Sequence, residues 1–250
     1  VAPVLMAPVL AWLSWRETLE GGALLPFLVT ACLLLFLRRT GKKADAAAEL
    51  SVGIGSYFKG VGRLARDRAV LLLCFMSAFR NVAQIGLLVF LPLYLAHDIG
   101  LGPAELAWTL FAFQAAGIAA APIAGMWSDR VGRRPVVMAG LGVTTAALVG
   151  LTFVSSPLVY VAGVSLMGFA LFAVRPVVHS WLMDMTPPEM GGSATSLLFG
   201  IQSALTVFSP LIGGALADSF GLLAAFYFLA GAMLAANLLV LFLPKARAAS

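Results

Sequence analysis

The stretch Gly125-Met126-Trp127-Ser128-Asp129-Arg130-Val131-Gly132-Arg133-Arg134 decides how the rest of the chain is read. It concentrates one acid, three arginines and two glycines in a sequence that is otherwise mostly apolar. On each side lies an apolar segment of about 20 residues, the length one helix needs to cross a bilayer. The run is therefore a short hydrophilic connection between two membrane helices.

Composition supports this outside the stretch too. Apolar residues make up 61% of the 250 residues and charged residues 11%, against roughly a quarter charged in soluble domains. An all-α integral membrane protein, with the lipid bilayer as its solvent, is expected. The formal charge of +5 comes from sixteen basic residues against eleven acids. Those basic residues cluster between apolar runs instead of covering a face, so they orient helices in a membrane and give no nucleic-acid surface. Cys32 and Cys74 both sit in apolar segments, which supports neither a disulfide framework nor a zinc site. The sequence holds no phosphate loop, metal-ligand cluster or nucleophile paired with a base, so no enzyme, metal or cofactor is expected.

The chain starts at Val1, and its first thirteen residues are apolar without the charged n-region of a signal peptide. It reads as the later part of a longer protein. Residues 1 to 13 are the end of a span, followed by a polar connection with Ser14, Trp15, Arg16, Glu17 and Glu20, and then by a span from Gly21 to Leu37. The hydrophilic stretch from Arg38 to Arg68 holds eight of the sixteen basic residues, which places it in the cytoplasm. Within it Lys59, Arg63 and Arg66 recur at helical spacing beside Tyr57, Phe58, Val61 and Leu64. That pattern fits either a short amphipathic helix on the inner leaflet or a solvated linker.

Six spans follow, at about 69–95, 104–126, 135–155, 158–183, 192–217 and 221–243. The connection 96–103 has no Lys or Arg, the one after residue 126 has Arg130, Arg133 and Arg134, and residues 156–157 have none. This alternation, with Lys245 and Arg247 in the tail, predicts a cytoplasmic C-terminus. The connection 184–191 carries no basic residue, so the rule is silent there. A weak repeat is also visible: Pro3 lies eleven residues before Ser14, and Pro210 eleven before Gly221, both in small-Pro-aliphatic strings.

The pattern Gly125-x-x-x-Asp129-Arg130-x-Gly132-Arg133-Arg134 resembles the signature of the major facilitator superfamily, which lies in the cytoplasmic loops after the second and eighth helices. If this is the second copy, the resemblance implies a six-helix C-terminal bundle of a twelve-helix fold, preceded by the end of helix five and by helix six. Residues 1–37 then close the N-terminal bundle, 38–68 form the central cytoplasmic loop, and 69–250 form the C-terminal bundle. The implied function is secondary active transport of a small molecule by alternating access, in a bacterial inner (plasma) membrane. Protons are a candidate coupling ion. A transporter-like sensor or assembly subunit without transport is the alternative.

The motif also has chemistry of its own. Gly117, Ala121 and Gly125 are spaced by four and form a small-residue strip for close helix approach. Asp129 sits at a helix C-terminus, where the macrodipole disfavours an anion, so it needs a partner. The resemblance implies that this partner is the N-terminus of helix eleven near Gly192 and Ser193, with nearby arginines, as a latch on one transport state.

Ionisable residues inside spans are costly, so their positions are informative. Arg80 lies about 18 Å along a helix from Arg68, and Arg175 about 13 Å from Asp184. The resemblance puts them on helices seven and ten, which line the central cavity. Gln84 and His179 each follow an arginine by four residues and share its helix face. Pro176 removes a backbone hydrogen bond beside Arg175. Gln114 and Gln202, with Ser203 and Thr206, are polar groups able to face the pore or to bridge helices. Two arginines with no Asp or Glu deep in these spans make an anionic or carboxylate-bearing substrate the candidate.

Overall fold

The computed structural model describes residues 24, 26–36, 60–154 and 157–243, all of them helix, turn or short connection. Residues 1–23, most of the 38–68 stretch, the Pro3 half of the repeat and the tail with Lys245 and Arg247 lie outside the described residues. The chain divides into two compact units between Tyr57 and Phe58. In the first, α1 (Pro26–Phe36) falls inside the expected Gly21 to Leu37 span. It is apolar and exposed, Cys32 included.

The second unit has six spans long and apolar enough to cross a membrane, in seven α-helices. They are α2 (Arg68–His97), α3 (Pro103–Val131), α4 (Arg133–Leu151), α5 (Pro157–Asp184), α6 (Gly191–Thr206), α7 (Phe208–Phe220) and α8 (Leu222–Leu241), with a 3-10 turn at Pro188–Met190 before α6. Local chemistry sets the starts. The Asp67 carboxylate accepts from the Ala69 and Val70 amides at 2.8 and 3.4 Å, which satisfies two orphan donors of α2. At α3, Pro103 occupies the first turn and Glu105 reaches back to the Gly102 amide at 3.1 Å.

The connections α3–α4 and α7–α8 are one glycine each. Gly132 (φ 96°, ψ 159°) and Gly221 (φ 86°, ψ 165°) turn the chain in backbone regions that side chains with a Cβ rarely enter. The span expected to be continuous over 192–217 is instead broken at Val207. Pro210 has no amide for the Thr206 carbonyl, and its ring crowds that carbonyl. Side chains secure the break: Ser209 Oγ donates to the Val82 carbonyl of α2 at 2.7 Å, and Thr206 Oγ1 to the Gln202 carbonyl at 2.7 Å. Pro92, Pro122 and Pro176 sit inside helices that continue past them.

The bundle is two exchanged triplets. In the first (α2, α3, α4), α2 packs against α8, α6 and α7 of the second triplet; in the second (α5, α6 with α7, α8), α5 packs against α3 and α4 of the first. α4 and α8 close the contact between triplets. Lipid tails are as apolar as leucine, so such helices associate through close packing rather than through hydrophobic exclusion. The α3–α5 contact shows how close: a Cβ on Gly168 would lie 2.2 Å from the Phe113 carbonyl oxygen, and one on Gly117 2.6 Å from the Phe172 ring. The expected small-residue strip thus divides. Gly117 admits α5, whereas Gly125 faces open space with nothing within 4 Å.

The two ends of the bundle differ chemically. At one, Arg133 meets Asp184, and Arg134 donates to the Leu241 carbonyl. At the other, Tyr94 packs on Tyr160 and Phe226 with ring centroids 6.0 and 5.0 Å away. They are called here the arginine end and the tyrosine end. Of the amphipathic segment, the described part is a helical turn over 60–64 at the arginine end. Its Leu64 is buried in the bundle core and Arg63 is exposed, so this turn is docked on the bundle.

Candidate functional site

The mid-span arginines lie on either side of the α2–α5 contact, with Arg175 close enough for its charge to act on Arg80. Their environments differ. Arg80 is 2% exposed, and its Nη1 donates to Gln84 Oε1 at 2.8 Å and, at 3.4 Å, to the Leu171 carbonyl of α5. Its Nε is buried with no partner, and no carboxylate pairs with it among the described residues. Arg175 projects from α5 and is exposed. The carbonyl that Arg80 reaches is not the one released by Pro176, which by i−4 spacing is that of Phe172. His179 lies one turn beyond Arg175, its ring 5.4 Å from that of Phe199 on α6.

A buried guanidinium without a counter-charge is expensive and is normally paired. Here the structure brings together a buried cation, an exposed one beside it, and the half-buried His179. This arrangement can bind a planar anion through paired N–H groups. Gln114 on α3 is half-buried and makes no hydrogen bond among the described residues.

Gln202 is placed differently. It is buried, and its Nε2 donates to Ser77 Oγ of α2 at 2.5 Å. Asn81 Nδ2 donates to Thr206 Oγ1 at 2.8 Å. With the Ser209 bond to Val82, these form a polar seam joining α2 to α6 and α7. Sequence reading missed Ser77, Asn81 and Ser209, because small polar residues in apolar helices carry no partner information. Neither arginine lines the two larger cavities. One of about 440 Å³ is lined by apolar residues such as Phe79, Phe208 and Phe228, and another of about 570 Å³ lies beside Glu105 and Trp108.

At the arginine end the motif closes on itself. Arg133 donates to Asp129 Oδ1, to Ser128 Oγ at 2.7 Å and to Asp184 Oδ2 at 3.1 Å, tying the ends of α3, α4 and α5 together. Of the partners expected for Asp129, the start of helix eleven and nearby arginines, the described residues show an arginine: Arg133, one turn on across the Gly132 corner and also bound to Asp184. Ser193, at the start of α6, faces the 60–64 turn instead: a Cβ on Gly60 would lie 3.1 Å from its Oγ. Arg134 caps the C-terminus of α8 through the Leu241 carbonyl at 2.8 Å, where a cation suits the macrodipole. Arg130 is exposed and makes no hydrogen bond among the described residues. Asp184 was missed as a motif partner because it is 51 residues from Arg133 in sequence.

Comparisons with known proteins agree with this architecture. The family model described as Major Facilitator Superfamily matches residues 72–250. A proline/betaine transporter of Salmonella typhimurium is 26% identical over 142 residues, covering 56% of this chain and 28% of the relative. The multi-drug resistance efflux pump PmrA of Streptococcus pneumoniae is 30% identical over 154 residues, covering 59% and 38%. The chain thus spans about a third of the length of these relatives. Among solved structures, a peptide transporter POT (E310Q mutant) in complex with sulfate matches with a TM-score of 0.61 at 19% identity, covering 69% of this chain and 37% of that one. The proton:xylose symporter XylE bound to 6-bromo-6-deoxy-D-glucose matches with a TM-score of 0.57 at 14% identity, covering 77% and 46%. At such identities these likenesses concern the fold alone.

Proposed function

The chain belongs to the major facilitator superfamily, and from that premise we propose that it works within a secondary active transporter that moves a small anionic or carboxylate-bearing molecule by alternating access. The observation that carries the substrate class is Arg80, buried mid-span with no carboxylate partner among the described residues and with Arg175 across the contact. Arg175 offers the first contact, Arg80 with Gln84 the inner one, and Gln114 and His179 the polar rim. Proline and betaine, named for one relative, both carry a carboxylate, which fits this chemistry. His179 is the candidate for proton coupling, because imidazole is the side chain that titrates near neutral pH.

In this reading the 125–134 motif acts as a staple. Arg133 holds α3, α4 and α5 together so that the bundle rocks as one body. The arginine end faces the cytoplasm of a bacterial inner membrane, with the C-terminus on that side.

The test is flux in proteoliposomes of the full-length protein, using a panel of radiolabelled amino acids and carboxylic acids. Saturable uptake that falls with Arg175→Gln supports the reading. Uptake confined to neutral or cationic solutes overturns the substrate class, and ligand binding without flux points to a sensor.

A further inference from the structure

The arginine-end motif has a second copy at the tyrosine end. Gly125-x-x-x-Asp129-x-x-Gly132 and Gly214-x-x-x-Asp218-x-x-Gly221 have the same spacing. The likeness extends to the backbone: Gly132 and Gly221 each form a whole connection, with φ 96° and 86° and ψ 159° and 165°. It extends to packing, since α3 and the α6–α7 span hold the same place in the two exchanged triplets. These two spans are also the least buried of the six, each with 22% of its apolar window inside the bundle.

The copies differ in how the acid is satisfied. Asp129 has Arg133 four residues on, whereas the matching position after Asp218 is Leu222. Asp218 is exposed in the last turn of α7, where the macrodipole disfavours an anion, and it has no partner among the described residues. It lies on one open stripe with Leu211 and Ala215, all three exposed at helical spacing. No Lys or Arg occurs in the tyrosine-end connections of this unit, which instead carry Asp98, with Glu105 in the first turn of α3. A cation that pairs with it would come from outside these connections.

We infer that Asp218 is a docking anion at the tyrosine end, engaging a basic side chain of the facing helical bundle when the transporter is closed at that end. The two copies then divide the work: Asp129 is satisfied within its own bundle and keeps it rigid, and Asp218 acts between bundles and sets how often the tyrosine end opens. This rests on the alternating-access reading, but its readout is accessibility rather than flux, so the two fail separately.

The experiment uses the full-length protein with Cys32 and Cys74 replaced and a single cysteine at Gln114, in vesicles exposing the tyrosine end to an impermeant maleimide. Loss of one coupling contact should raise the labelling rate of Asp218→Asn about 5-fold or more, and Asp218→Lys should raise it further. Asp218→Glu should label close to the parent, and Asp129→Asn should give no such rise. Thermal unfolding of each variant separates opening from loss of fold. Parental labelling in both Asp218→Asn and Asp218→Lys overturns the inference, as does an equal rise in Asp129→Asn.

Discussion

Replacing Arg80 by methionine separates a structural arginine from a binding one, because the two roles predict opposite changes in stability. Arg80 is 2% exposed, makes one good hydrogen bond to Gln84 and one long one to Leu171, and leaves Nε unpaired beside the like charge of Arg175. Methionine keeps most of the stem volume. The variant loses one charge-assisted hydrogen bond, about 1.5–3 kcal/mol. It also loses the desolvation penalty of a buried, uncompensated ion, several kcal/mol. The second effect is larger, so without substrate the variant should be more stable by about 1–2 kcal/mol, since replacing buried ions by apolar groups gains about 1–4. For a domain of this size that raises Tm by about 2–8 °C. Binding should move the other way, because truncating one member of a buried charge pair costs about 2–5 kcal/mol. At about 1.4 kcal/mol per decade that weakens affinity by about 30-fold or more. Purified full-length parent and variant would be compared by thermal unfolding and by binding of the solute found in the flux panel. A lower Tm with unchanged affinity would refute the reasoning and make Arg80 a helix tie.

Three further outcomes follow from the geometry. Gly168→Ala forces a methyl against the Phe113 carbonyl and should cost about 1–3 kcal/mol by overpacking; Gly150→Ala, with nothing within 4 Å, should gain about 0.5–1 kcal/mol, and thermal unfolding of both checks the α3–α5 contact. Arg133→Gln frees Asp129 and Asp184, whose side chains are 64% and 51% exposed, so the loss should stay at about 0.2–1 kcal/mol per pair and shrink further in high salt; a salt-independent loss of several kcal/mol would show that the hub acts through packing. In a background lacking Cys32 and Cys74, single cysteines at Gly41 or at the exposed Arg130 should be shielded from an impermeant thiol reagent in intact cells, and those at Gly100 or Ser156 should react; the reverse pattern would invert the proposed orientation.

What the sequence made legible follows from what a bilayer penalises. Long apolar runs and the charged stretches that end them are costly to misplace, so the six spans and their connections could be read within a few residues, and Arg80 and Arg175 stood out as expensive exceptions. The interior arrangement was less legible because lipid is as apolar as a protein core, and a helix buried on one side and lipid-facing on the other shows little contrast in residue type. Hence nothing in the run around Gly168 announced that its backbone touches α3, and nothing in the run around Gln202 announced that Ser77 lies opposite it. The break at Val207 is a related case: five prolines lie within the spans, Pro92, Pro122, Pro135, Pro176 and Pro210, and only Pro210, whose neighbour Ser209 binds the Val82 carbonyl, accompanies an interruption. Asp129 shows the limit most sharply. Its need for a partner follows from helix electrostatics alone, and two kinds of donor were available, a distant helix end and an arginine one turn on. The arginine that meets it is Arg133 because Gly132 turns the chain so that the start of α4 faces back on the end of α3, with Asp184 also holding the guanidinium. At Gly221 the same turn is made without that arginine, so the acid before it is left to find its cation outside the bundle.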